Sequence, residues 1–229
     1  MTRPPRIDPV WEEKYALGHQ QRYPWDDVVS FVFRNTPRNL PAKDIHILEV
    51  GCGTGGNVWF AAREGYTIAG IDGSRSAIAR AKERLESDGL HADLRVAYFD
   101  DLPYAANSFS LVIDRGALCC VGRAVLRQSI AEIQRVLRPG GRFLFTPFAD
   151  DHSSLASADM DADGLAGDIR EGTLTGVGRI LFLSERDIRE ALADGWSIDS
   201  ITLRREVDWT TGMAGDCHSL WRVTATAKK

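Results

Sequence analysis

The residues best placed to do chemistry lie in the stretch EVGCGTGGN, where Gly51, Gly53 and Gly56 satisfy the spacing G-x-G-x-x-G and Asp72 follows about twenty residues on. Glycines at that spacing let a backbone turn tightly and lie against a ligand with no side chain between them. A carboxylate at the distance of Asp72 can accept hydrogen bonds from ribose hydroxyls. The pattern therefore implies a ligand that carries a ribose.

Other chemical candidates compete with it. Cys119 and Cys120 are adjacent, which is poor geometry for two ligands on one tetrahedral zinc, and Cys52 and Cys217 add no ligand spacing. Small apolar packing is the favoured reading of the pair, because cysteine is among the most buried residue types, and no metal site is expected. The run DMDADG places Asp159, Asp161 and Asp163 as in the first half of a calcium loop, yet the twelfth position is Arg170 and Glu171 comes one residue late. A solvated acidic loop is expected there, biasing a nearby site against anions. His152, just past an apolar strand, is the best-placed histidine for a general base, while His19 and His218 are harder to place.

These residues need elements to hold them. The pattern from residue 45 alternates short apolar runs with helical spacing. IHILEV leads to a helix with Val58, Ala61 and Ala62 on one face; YTIAGI leads to one with Ala77, Ala81 and Leu85; SFSLVI leads to one with Leu126, Ile130, Ile133 and Leu137, broken by RPGG before RFLFTPF. Strands alternating with helices make a parallel sheet covered on both faces. Residues 149–178 are rich in Asp, Gly, Ala and Ser and are expected to form an irregular insertion. A helix capped by Ser184 follows, and WSIDSITL and LWRVTATA close the chain as an antiparallel pair. Before the first strand, Val28, Phe31 and Val32 fall at helical spacing, so residues 1–40 read as a helical lid on a domain of residues 41–229.

The chain of 229 residues has a net charge of -4, which gives no basic surplus for nucleic acid or an anionic membrane. No apolar run approaches a membrane span, and four irregularly spaced cysteines point to a reducing compartment. A cytoplasmic protein acting on a small molecule is the expectation, with no nucleic-acid or membrane partner.

A ribose over a glycine loop fits NAD and S-adenosylmethionine equally, and further motifs separate them. Glu49, Gly51, Gly53 and Gly55 match E/D-x-G-x-G-x-G; SFSLVIDRGAL, RVLRPGGRFLF and DDLPYAANSF follow in order. In these four stretches the sequence resembles the class I S-adenosylmethionine-dependent methyltransferases of small-molecule type. The resemblance implies a Rossmann-like, three-layer αβα fold, with a seven-stranded, mostly parallel sheet whose last strand is antiparallel. It implies that Gly51 and Gly53 lie under the methionyl part of S-adenosylmethionine, and that Asp72 holds the ribose, with Gly73 and Ser74 just beyond it, Ser74 either approaching the adenosine or capping the helix that follows. The family's adenine-binding Asp falls at Tyr98, so that role passes to Asp100 or to backbone near Phe99. Asp114 stands where the family places the amine end of the donor and the way in for the acceptor. W-x-x-x-Y followed by PW resembles the lid of many small-molecule methyltransferases and makes Tyr15 the aromatic contact to the sulfonium. Tyr15, Asp114 and His152 are thus the candidates for a catalytic role. DRGA stands in place of the [DNS]PP[YFW] motif of enzymes that methylate base amines. The expected function is methyl transfer to an oxygen or nitrogen of a small molecule; an NAD-dependent oxidoreductase and a non-catalytic S-adenosylmethionine-binding protein of the same fold are the alternatives. The cysteine pair could hold a metalloid acceptor such as arsenite, since arsenic methyltransferases of this fold use cysteines.

Overall fold

The computed structural model describes residues 7–210 and 216–229. Two helices, α1 (Pro9–Ala16) and α2 (Asp26–Asn35), precede an alternating series: β1 (His46–Val50), α3 (Gly56–Arg63), β2 (Thr67–Asp72), α4 (Arg75–Ser87), β3 (Asp93–Val96), β4 (Phe109–Asp114), α5 (Arg123–Val136) and β5 (Leu137–Phe145). Short strands β6 (Phe148–Ala149), β7 (Asp159–Met160), β8 (Leu165–Gly167) and β9 (Ile180–Leu183) follow, then α6 (Glu185–Ala191) and the long pair β10 (Trp196–Asp208) and β11 (Asp216–Ala227).

The main sheet runs β3-β2-β1-β4-β5-β11, with β10 on the far side of β11. Strands β1 to β5 are mutually parallel, and β11 is antiparallel to both β5 and β10. Those seven strands form the three-layer arrangement that the motifs imply. Ile47, Leu111, Ile113 and Leu144 face the helices α2, α3 and α4, whereas Leu48, Val112, Phe143 and Phe145 face α5 and α6. Central parallel strands buried on both faces read as continuous apolar runs, which is why IHILEV and SFSLVI carry little alternation.

Two segments differ from expectation. RPGG does not separate α5 from the next strand. The residue after α5, Leu137, is already extended, and β5 begins there; its pairing with β4 jumps from Phe109↔Leu137 to Leu111↔Arg142, so that RPGG becomes a bulge inside one strand. Pro139 brings no N–H to the ladder, and Gly140, at φ +75°, makes the reversal.

The second is the insertion, which is not irregular throughout. Phe148 pairs with Leu220 of β11, and β6, β9, β8 and β7 extend the sheet from there. Its acidic run is a turn that ties the structure together. Asp161 Oδ1 accepts from the backbone N–H groups of Asp163 (2.9 Å) and Leu165 (3.0 Å), while the Asp163 carboxylate and carbonyl accept from Ala124 and Arg123 at the start of α5. Asp159 pairs with Arg170 at 3.0 Å and Asp161 with Arg179 at 3.5 Å. Local caps and ion pairs supply the order that apolar periodicity does not. Among the described residues, no helix is long and apolar enough to cross a membrane.

Candidate functional site

A cavity of about 410 Å³ opens at the carboxyl ends of β1, β2 and β4, the usual ligand crevice of an open α/β sheet. Its floor is the turn between β1 and α3. Gly51 and Gly53 have φ of +70° and +51°, a region that L side chains rarely adopt. A Cβ on Gly51 would stand 2.1 Å from that of Ala117, and one on Gly53 would stand 2.9 Å from the Tyr15 hydroxyl. The turn is therefore open to a ligand only because both residues are glycine.

Asp72, at the end of β2, holds this turn in place. Its oxygens accept from the Gly53 N–H at 2.9 Å and the Ser74 N–H at 2.8 Å. Burial raises the Asp72 carboxyl above its ordinary value, against the pull of those two bonds. Gly73, Phe99 and Asp100 also line the cavity.

Glu49, on β1, is a further lining residue and is 2 % exposed. Its Oε1 accepts from Asn57 Nδ2 at 2.6 Å, and its Oε2 is buried with no partner. Burial pushes the Glu49 carboxyl up to about 8; the Asn57 bond opposes this, the charges of Asp114 and Asp72 add to it, and Arg115 opposes it. A fully buried carboxylate oxygen with nothing to bind costs free energy, so this site is incomplete without a donor.

The roof is α1 and the chain that joins it to α2. Tyr15, on α1, stacks on Trp11 with centroids 5.8 Å apart and reaches over Gly53. Burial, and then the Asp72 charge, raise its phenol well above the ordinary value, so it is a neutral ring. Glu12, one turn before, straps the roof down: it accepts from the hydroxyls of Ser74 and Ser76, each at 2.6 Å, and these bonds lower its carboxyl. Arg80 donates to the Ala16 carbonyl and Arg84 to those of Gln21 and Arg22. Gln21 and Trp25 donate their N–H groups to Thr54 and Asn57 on the glycine turn.

Four expected site residues have other work. Asp114 is fully buried and does not line the cavity. Its oxygens accept from the backbone of Ala117 (3.0 Å), Leu118 (2.8 Å) and Thr146 (3.3 Å), so it is a brace between the ends of β4 and β5 rather than a contact at the amine end. Burial sets its carboxyl at about 6 despite those bonds. Ser74 caps α4 through Ala77 N and is sealed beneath Glu12. Gly55 lies against Ala81, where a Cβ would stand 3.0 Å from the Ala81 Cβ; it lets α3 and α4 approach. His152 lies off the cavity wall, packed against Phe148 and Phe182. Its Nδ1 accepts from Ser154 N, so its proton sits on Nε2, 3.1 Å from Nδ1 of His218. With Nδ1 committed and burial holding its pKa down to about 4, it has no free basic nitrogen to offer.

The cysteines divide. Cys119 is buried against Ala166, Ile180 and Phe182, and its thiol donates to the Gly116 carbonyl at 3.1 Å; Cys120, with its sulfur 4.0 Å away, lines the cavity. Among the described residues, no three His, Cys, Asp or Glu side chains gather as a metal site would require.

Sequence reasoning missed Asn57 and Arg115, and took Trp25 only as part of the PW of the lid. Arg115, the first residue beyond β4, lines the cavity with its guanidinium 4.1 Å from the centroid of the Trp25 ring and its Nε 3.2 Å from Oδ2 of the fully buried Asp27. The signal available was position: Asn57 is the last residue of the glycine stretch, and Arg115 directly follows the residue singled out at the strand tip.

The comparisons agree with this architecture. The profile described as a methyltransferase domain matches residues 47–141. An uncharacterized methyltransferase, YodH of Bacillus subtilis, is 32 % identical over 104 residues, which are 45 % of this chain and 43 % of YodH. The phthiotriol/phenolphthiotriol dimycocerosates methyltransferase of Mycobacterium tuberculosis is 31 % identical over 179 residues, 77 % of this chain and 60 % of that protein. The chain thus spans between two fifths and three fifths of the length of these curated relatives. Among solved structures, the 1,6-didemethyltoxoflavin-N1-methyltransferase of Burkholderia thailandensis, with 1,6-didemethyltoxoflavin and S-adenosylhomocysteine bound, superposes with a TM-score of 0.70 at 16 % identity, covering 100 % of this chain and 92 % of that one. The methyltransferase-domain match over residues 47–141, these relatives and the strand order together support a class I S-adenosylmethionine-dependent methyltransferase.

Proposed function

We propose that the protein transfers a methyl group from S-adenosylmethionine to an oxygen or nitrogen of a small-molecule acceptor. The observation that carries this reading is the partnerless Glu49 Oε2 in a cavity that Asp72 also lines. An α-ammonium group would satisfy the first and ribose hydroxyls the second, and S-adenosylmethionine carries both. When bound, it supplies a methyl group activated by a sulfonium.

The chain's own residues would then bind and align. Glu49 Oε2 accepts a charge-assisted hydrogen bond from the ammonium. Each Asp72 oxygen has a lone pair beyond the one used by Gly53 or Ser74, enough for two hydroxyls. Gly73, Phe99 and Asp100 border the space for adenine. The neutral Tyr15 ring closes over the glycine turn, where its face attracts a cation and its bulk excludes water. Positioning of acceptor against donor in a water-poor space supplies most of the acceleration in such a displacement. Asp114 and His152 are held too firmly by the scaffold to move a proton. An acceptor that needs little deprotonation suits a cavity of this kind. The apolar rim near Val121 and Val125, and the small-molecule acceptors named for the relatives, favour a small substrate over a macromolecule.

Thermal-shift titration tests the cofactor. S-Adenosylhomocysteine should raise the melting temperature and NAD should not; the reverse would overturn the proposal in favour of a dehydrogenase. Incubation with labelled methyl donor and fractionated small-molecule extract tests the reaction. Label in no fraction, from a protein that binds S-adenosylhomocysteine, would support the non-catalytic alternative.

A further inference from the structure

We infer that the hollow between α4 and the chain joining α1 to α2 is a second ligand site, which takes a diphosphate group and thereby clamps the roof of the main cavity. The inference stands apart from the identity of the ligand beneath that roof.

The hollow has a volume of about 350 Å³. Its described lining includes three arginines, Arg22, Arg80 and Arg84, against one acid, Asp88, in a chain whose net charge is -4. Asp88 is engaged by the Trp59 indole N–H, which donates to it at 2.6 Å. Among the described residues, none of the three arginines is in a salt bridge. Arg80 donates to the Ala16 carbonyl at 3.2 Å, and Arg84 donates to that of Gln21 at 2.9 Å and to that of Arg22. A guanidinium has five donors, so both keep some for a ligand. The Arg22 guanidinium stands 5.8 Å from the centroid of the Tyr23 ring and finds no hydrogen-bond acceptor among the described residues. Arg84 is set in position by the Trp59 ring, whose centroid lies 5.2 Å away.

The arrangement is a poor brace by itself. Arg22 belongs to the roof, and Arg80 and Arg84 belong to α4, so like charges face one another across the joint that the carbonyl bonds close. Burial lowers the Arg84 guanidinium from its ordinary value; Asp88 opposes this and the Arg22 charge adds to it, so the two cations are near enough to repel. A joint that served only to close would be expected to set an acid opposite these bases. Phosphoryl oxygens between them would turn the repulsion into charge-assisted hydrogen bonds on both sides of the joint, and the planar fork of arginine matches them. One phosphate monoester carries a charge of only about -1.5 to -2 near neutral pH, so three guanidiniums favour a diphosphate. Thr54 carries the effect inward: it lines both hollows, and its hydroxyl accepts from the Gln21 N–H at 3.3 Å.

The test titrates pyrophosphate and uridine diphosphate by calorimetry at constant ionic strength, so that screening does not change. Saturable binding of either supports the inference, and the tighter of the two names a free or a nucleotide-borne source. Arg22→Met keeps the carbonyl that Arg84 holds and should weaken binding about 10- to 100-fold, and Arg22→Lys should restore part of it. Hydrogen exchange of the Gln21 and Trp25 amides, which donate to Thr54 and Asn57, reads opening of the roof. Pyrophosphate at ten times its Kd should slow both about tenfold in wild-type protein, as mass action requires of a ligand that binds only the closed form. No saturable heat from either anion would overturn the inference without needing any variant to fold. Binding undiminished in Arg22→Met would overturn it by putting the anion elsewhere, and binding that leaves both amides exchanging as before would overturn it by removing the clamp. S-Adenosylhomocysteine enters neither measurement, so failure here and failure of the cofactor reading are distinguishable.

Discussion

Replacing Glu49 with Gln should remove a proton from the binding reaction and a pH dependence from the fold. The wild-type carboxyl has its pKa pushed up to about 8, whereas the unfolded chain titrates it at an ordinary value of 4.5. Between those values the native state holds a proton that the unfolded state has released, so stability falls as pH rises. The contribution is fully present below pH 4.5 and is lost as pH passes through 8; the difference amounts to roughly 5 kcal/mol at 1.36 kcal/mol per pKa unit. In the empty cavity at pH 6.5 nearly every Glu49 is protonated. An ammonium arriving at Oε2 favours the carboxylate, so binding should expel about one proton per site. Titrating S-adenosylhomocysteine at pH 6.5 in two buffers of different ionisation enthalpy measures that proton directly. Glu49→Gln keeps an oxygen for Asn57, should release no proton, and should bind about 10- to 100-fold more weakly, because an amide N–H replaces the acceptor. Its urea midpoint should also fall less than that of the wild type between pH 6 and pH 9. Tight wild-type binding with no proton exchanged would refute the reasoning, since Glu49 would then be ionised already or not be in contact.

Gly53→Ala forces a side chain into a left-handed backbone and against the Tyr15 hydroxyl 2.9 Å away, so it should cost about 1–2 kcal/mol of stability and abolish binding of S-adenosylhomocysteine, as read by calorimetric melting with and without ligand. The His152 pKa is lowered to about 4, so the unfolded state takes up more protons between pH 6.5 and pH 4; melting temperature should drop across that window, and His152→Asn should flatten the drop. Asp163→Ala removes a side-chain acceptor from the first turn of α5 and should cost about 1 kcal/mol in urea unfolding, an outcome that a freely solvated acidic loop would not give.

Much of the fold was legible because parallel strands and amphipathic helices write their partners into local pattern: Ile47 and Leu48 alone announce a strand buried on both faces. The floor of the site was legible for the same reason, since glycine at 51 and 53 and acids at 49 and 72 act through backbone shape and chain order. Direction was not legible. Asp114 and Ser74 were placed correctly along the chain, but whether a carboxylate turns into a cavity or back onto three N–H groups depends on Thr146, thirty-two residues away. Arg115 acquires its meaning from Trp25 and Asp27, ninety residues earlier, and no period in the sequence joins them. The insertion misled because its order comes from caps such as Asp161 and Asp163 and from a few scattered apolar anchors, Leu165, Leu174 and Ile180, rather than from any repeat.

The strap from Glu12 to Ser74 and Ser76 bears on time as well as shape. If ligand exchange requires α1 to lift, the residence time of a ligand under Tyr15 should depend in part on Glu12, Arg80 and Arg84, none of which lines the cavity. Release of spent cofactor is a common limit on turnover in enzymes with a closing segment. On that reading, substitutions on α4 at Ser76, Arg80 and Arg84 should change the tempo of exchange without touching a residue that lines the cavity.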